Sequence, residues 1–125
     1  MKQYKLSKKS QVRSRLMRNM LSSLILFEQI QTTQTKAKAL KSRAEKFISR
    51  VKSMDDDINL KRYIASELYA GSQEKAYDLS KSIKHVETFR VNNRSGDNSQ
   101  MMIIKLVIEE VKPKKSADPK AQKKE

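Results

Sequence analysis

The chain has 125 residues, 37% hydrophobic and 34% charged, with 28 Lys+Arg against 14 Asp+Glu and a net charge of +14. That length sets one domain as the expectation, and such a cationic excess points to a polyanionic partner: RNA, DNA or an acidic membrane face. The lack of cysteine excludes disulfides and thiolate metal sites, no apolar run approaches the roughly 20 residues that span a bilayer, and the first ten residues lack a signal peptide's apolar core, so a soluble protein is expected.

Residues 1–9 form a basic arm that includes Lys8 and Lys9. A helix is expected over residues 10–27. At about 100° per residue, Val12, Leu16, Met20, Leu24 and Phe27 share one side, widened by Met17 and Leu21. Arg15, Arg18, Asn19 and Ser22 form the opposite stripe. The β-rich FEQIQTT that follows reads as a short strand. A second helix is expected over residues 35–53, burying Ala37, Leu40, Ala44, Phe47, Ile48 and Val51. Lys38, Lys41 and Lys52 flank that face on one side, and Arg43, Lys46 and Arg50 on the other.

A third helix is expected over residues 54–71. Asp55, Asp56 and Asp57 suit its electropositive start, and Gly71 suits its end. Ser72, with Glu74 in the first turn, opens a fourth helix to about residue 84, with Ala76, Leu79 and Ile83 inward. Strands over residues 86–91 and 101–110, joined by NNRSGDNSQ, read as a hairpin; Met102, Ile104, Leu106 and Ile108 make one face of the second strand apolar. The expected fold is α+β and two-layered: about four helices packed on a small mixed sheet that ends in a C-terminal β-hairpin. The domain covers residues 10–111. The Lys/Pro-rich tail, 112–125, has no large apolar residue and is expected to be disordered in isolation.

Charge is uneven along the chain. Residues 1–54 hold 14 basic and 2 acidic side chains, a net +12; residues 55–111 hold 8 and 10, a net −2; the tail holds 6 and 2, a net +4. The first half is the expected polyanion-binding part. Its second helix opens with Lys36 and Lys38 and no acid, where the macrodipole favours Asp or Glu. The third and fourth helices are expected to carry acids there. A phosphate near Thr32, Thr33 and Thr35, held by backbone N–H groups and by Lys36 and Lys38, would account for the exception. Taken alone, the arginine stripe is equally a solvated face, and the lysines cost only about 0.3–1 kcal/mol.

Other chemistry is thin. His85 is the only histidine and reads as structural or incidental. The three aspartates fit a helix start better than a cation site, and no metal or other cofactor is expected. Tyr63, Tyr69 and Tyr77 read as packing residues, and two glycines cannot build a phosphate-cradling loop. No acid/base pair, nucleophile constellation or cofactor motif marks an enzyme or a small-molecule substrate site.

The run RSRLMRNMLSSLILFEQIQTTQTKAKALKSRAEKFISRVK carries Arg13, Arg18-Asn19-Met20, Ser23-Leu24, Glu28, Ile30, Thr32-Thr33, Lys36-Ala37-Lys38 and Glu45. With Gly96-Asp97-Asn98 leading into the last strand, it resembles the bacterial large-subunit ribosomal protein seventeen family over most of residues 6–108. The chain departs from that pattern in a shorter arm without a His-Arg-Lys opening, in Val12 where His is usual, and in lacking paired glycines before the hairpin. The resemblance implies a two-layer fold with one strand after the first helix and two at the end. It also implies a non-enzymatic structural constituent of the large ribosomal subunit, a ribonucleoprotein component acting in translation. Its partners would be 23S-type rRNA and neighbouring ribosomal proteins near the polypeptide exit tunnel, with no membrane insertion. Its place would be the ribosome of a bacterial cytoplasm, or of an organelle that makes its own ribosomal proteins. Lys8, Lys9, Arg13, Arg15, Arg18, Asn19, Thr32, Thr33, Lys36, Lys38, Lys41, Arg43 and Arg94 are the expected RNA-binding residues, acting by positioning and charge neutralisation. The alternative is a basic nucleoid-associated DNA-binding protein, although no helix-turn-helix is evident.

Overall fold

The computed structural model describes residues 4–109. The expected tail, the start of the arm and the last expected strand residue, Glu110, lie outside them. In chain order the elements are α1 (Ser10–Phe27), β1 (Gln29–Thr33), α2 (Gln34–Lys52), α3 (Asp57–Glu67), α4 (Ala70–Leu79), β2 (Ile83–Val91) and β3 (Met101–Ile108).

β3 is the central strand, in the order β1-β3-β2. Its period-two pattern sends Met102, Ile104 and Leu106 to one face, where all three are buried with Val86 and Ile83 of β2. The helices cover that face. α2 lays Ala37, Leu40, Ala44, Phe47, Ile48 and Val51 against it, and α1 and α3 add Leu21, Leu24, Ile25, Leu60 and Ile64. Phe89, half exposed, and Ile103 pair on the opposite, open face.

The α+β class, the four helices and the terminal hairpin are as expected, but the sheet is antiparallel rather than mixed. β1 and β2 run the same way, yet β3 lies between them, so no parallel pair forms. α1 has its expected bounds and a different buried face. Met17, Leu21, Ser22, Leu24 and Ile25 point inward, while Val12 is 49% and Phe27 71% exposed. The helix is rotated because it packs on two partners, the α2–sheet layer and the α3–α4 junction.

That junction also departs from expectation. α3 stops at Glu67, four residues before Gly71, because Leu68 and Tyr69 are extended. Leu68 is fully buried and enters the core as an extended residue just past the helix. Gly71 therefore lies in the first turn of α4. Ser72 is no cap: it is buried within that turn and donates its hydroxyl to the Tyr69 carbonyl at 2.9 Å. Ile83 belongs to β2, not to α4.

α1 turns into β1 through Glu28 in the left-handed region, φ 61°, a conformation that costs a side-chain-bearing residue about 1–2 kcal/mol. Its carbonyl accepts from the Leu106 amide at 2.8 Å, and its carboxylate pairs with Lys75 of α4 at 2.7 Å.

Ile104 is fully buried and Ile103 lies on the open face. Ile104→Ala should cost about 2–5 kcal/mol of unfolding free energy, and Ile103→Ala clearly less, in urea denaturation. Equal losses would contradict the assigned register.

Candidate nucleic-acid interface

α1 and α2 carry most cations of the first half, and their partners sort them. Arg18 is turned inward. Its Nη2 donates to the Ala65 carbonyl at 3.1 Å and the Leu68 carbonyl at 2.8 Å. Its guanidinium lies 4.5 Å from the centre of the Tyr69 ring. The Tyr69 amide donates to Ser22 Oγ at 3.1 Å. The stripe expected to face RNA thus splits. Arg18 and Ser22 supply a cation and an acceptor where the backbone leaves α3, a role that orphan carbonyls at a helix end favour. Arg15 and Asn19 remain exposed.

α2 starts without a side-chain cap. Thr33 is extended at the N-cap with no cap hydrogen bond, and no acid occupies the first turn. The Gln34 amide is taken by the Gln100 carbonyl at 2.9 Å. The expected contrast with other helices does not hold. Only α3 has an acid start, with Asp56 accepting from the Ile58 amide and Asp57 in the first turn. α1 and α4 have none, because α4 begins at Ala70 and leaves Glu74 beyond its first turn. Lys36 and Lys38 are two positions apart, about 200° around the helix, so they leave α2 on opposite flanks. Thr32 and Thr33 are consecutive strand residues, paired with Met102 and Met101, and face opposite sides of the sheet. These four side chains do not converge on one point.

The two flanks of α2 differ. Lys41 pairs loosely with Glu45, at 3.8 Å, while Lys38 is exposed with no ion pair among the described residues. Lys52 donates to the Lys84 carbonyl of β2 at 3.1 Å. On the other flank Arg43 pairs with Glu67 of α3 at 2.6 Å. Arg50 lies 5.4 Å from the centre of the Tyr63 ring, which stacks on Phe47. This flank and the start of α1, with Arg13, border a cleft of about 510 Å³ between α1, α2 and α3. Burial, and then the Glu67 carboxylate, push the Tyr63 hydroxyl pKa up.

The hairpin loop is built around Asp97. Arg94 donates to it through Nε at 3.1 Å and through Nη2, and the Ser99 hydroxyl and amide donate to the same carboxylate. The Arg94 hydrogen bonds, then those from Ser99, hold the Asp97 carboxyl well below the usual range. Gly96 has φ +106°, in a region side chains avoid. The Arg94 charge is therefore neutralised locally.

Lys8 and Lys9 are exposed just before α1. Of the expected contact residues, Lys8, Lys9, Arg15, Asn19 and Lys38 are open, Lys36 and Lys41 half-buried, Arg13 and Arg43 line the cleft, and Arg18 and Arg94 hold protein partners. The sequence reading missed Lys46 and Arg50 as cleft residues, although their grouping with Arg43 on one flank was the available signal. Among the described residues no three His, Cys, Asp or Glu side chains are grouped to hold a metal, and no helix is long and apolar enough to cross a membrane.

The model of a family described as "Ribosomal protein L17" matches residues 16–107, from the second turn of α1 through most of β3. The large ribosomal subunit protein bL17 of Endomicrobium trichonymphae is 33% identical over 110 residues, covering 82% of this chain and 92% of that protein. The bL17 of Pelagibacter ubique is 33% identical over 132 residues, covering 97% and 90%. That of Pelobacter propionicus is 34% identical over 125 residues, covering 90% and 92%.

Arg18→Met should remove two hydrogen bonds at the α3 terminus and cost roughly 1–3 kcal/mol, whereas Arg15→Met should stay within about 0.5 kcal/mol. Urea unfolding of both variants checks this. Equal, small effects would return Arg18 to the surface.

Proposed function

This chain belongs to the ribosomal protein L17 family, and from that premise we propose that its first half binds and neutralises folded large-subunit rRNA. The family makes the chain a structural constituent of the large ribosomal subunit, acting in translation, and it is not an enzyme family. The observation that carries the RNA reading is the charge imbalance of the first half. Glu28 is engaged by Lys75 and Glu45 by Lys41, which consumes both acids of residues 1–54. Lys8, Lys9, Arg15, Lys36 and Lys38 are left without carboxylate partners among the described residues.

In this reading the exposed lysines and Arg15, with Asn19, meet phosphates directly. Thr32 and Thr33 contribute by placing the start of α2, Arg18 by fixing α1, and Arg94 by shaping the hairpin loop. Lys41, Arg13 and Arg43 add charge on either flank. Such contacts position the protein and neutralise the backbone without reading sequence. The site is next to neighbouring ribosomal proteins near the exit tunnel, in a cytoplasmic ribosome, with rRNA as the main partner.

Sedimentation tests this. In its own cell the tagged chain should stay with large subunits near one copy each through a wash at about 0.5 M salt, which weakens non-specific phosphate binding. The variant combining Lys8→Glu, Arg15→Glu and Lys38→Glu should fold but be released. On purified rRNA it should lower the salt slope of affinity by about one per lost contact. Recovery of the unaltered chain with DNA, or at the top of the gradient, would replace the ribosomal reading with the nucleoid one.

A further inference from the structure

We propose that the cleft between α1, α2 and α3 seats one phosphate-bearing nucleotide of an RNA strand; this rests on the RNA-binding function above and adds the point at which a single nucleotide enters the protein. Its volume, about 510 Å³, falls within the ~300–1,000 Å³ of small-molecule sites. Its lining supplies donors rather than acceptors. Arg13 and two serines come from α1, Lys46 and Arg50 from α2, and Tyr63 from α3.

Among the described residues the only carboxylate in that lining is Glu67, and it is engaged by Arg43 at 2.6 Å. Arg13, Lys46 and Arg50 are therefore uncompensated around a small volume, which suits an anion and repels a metal ion. The apolar part of the lining fits a base. Tyr63 stacks on Phe47 with centroids 5.8 Å apart, and the Arg50 guanidinium lies over Tyr63. A planar guanidinium on an aromatic ring is a surface on which an unstacked RNA base packs, while the same group reaches phosphate oxygens. The Tyr63 hydroxyl adds a further donor to the lining.

The phosphate could come from a strand or from a free nucleotide. A strand is favoured because cationic surface continues past the cleft: Ser10 of its lining follows the exposed Lys8 and Lys9 directly. A free nucleotide needs no such extension.

The test is an NMR titration of the full ¹⁵N-labelled chain with single-stranded oligouridylate, with AMP, with inorganic phosphate and with an rRNA fragment. Oligouridylate should shift the amides of Ser10, Ser14, Ser42 and Tyr63 at lower concentration than AMP or phosphate do. Lys46→Glu with Arg50→Glu should weaken it by about tenfold or more, and Arg50→Lys should recover part of the loss. Both positions are exposed. If the pair unfolds the chain, Lys46→Glu alone carries the measurement, since that side chain has no hydrogen bond or ion pair among the described residues. Tighter filling by AMP or phosphate would overturn the strand assignment. Shifts confined to Lys36 and Lys38, with unchanged affinity in the variants, would overturn the cleft and leave the RNA reading standing. No shift with any RNA, rRNA fragment included, would remove both.

Discussion

The fold depends on a reciprocal exchange of helix-end contacts between α1 and the α3–α4 unit. Arg18 of α1 holds the Ala65 and Leu68 carbonyls where α3 ends, and Ser22 takes the Tyr69 amide. In return Lys75 of α4 donates to the Leu26 carbonyl at 2.8 Å and pairs with Glu28 where α1 ends. Neither α1 nor α3 has a basic residue in its own last turn. α3 receives the cation its C-terminal dipole favours from α1, and α1 receives its own from α4. Four backbone groups at these helix ends thereby gain side-chain partners, and α1 is held at two points along its length.

This arrangement divides the basic residues by their partners. Arg18, Arg43 and Arg94 are used within the protein, on carbonyls or carboxylates that a planar fork fits. Lys8, Lys9 and Lys38 stay in solvent, where a flexible ammonium has the reach to meet phosphates that are not part of the fold. A net +12 over residues 1–54 is therefore two populations. One builds the scaffold, and the other is the unspent charge that calls for a polyanion.

Sequence pattern reached the elements whose signal is local. The buried face of α2 and the alternation of Met102, Ile104 and Leu106 follow from spacing, because each buries one face against one layer; α1 packs on two partners, and only its bounds were legible. Reading failed where a residue's partner lies far along the chain. Arg18 and Ser22 look like a polar surface stripe until Leu68 and Tyr69, nearly 50 residues on, are placed beside them. Gly71 and Ser72 offered plausible stop and start signals, but the backbone is already extended at Leu68 and Tyr69, so the break comes earlier. Lys36 and Lys38 look adjacent in sequence and lie on opposite flanks of a helix. The cleft needed three helices at once, so Lys46, Arg50 and Tyr63 gave no sign of sharing it beyond a common flank for the first two.

The central claim is that outward lysines of the first half meet RNA while inward arginines build the fold. Lysine-specific labelling read by mass spectrometry, on the free chain and on isolated large subunits, tests it most directly. Lys8, Lys9 and Lys38 should react freely in the isolated protein and become protected in the subunit, while Lys61 and Lys81 on the less basic half change less. Equal reactivity of Lys8, Lys9 and Lys38 in both states would contradict the account.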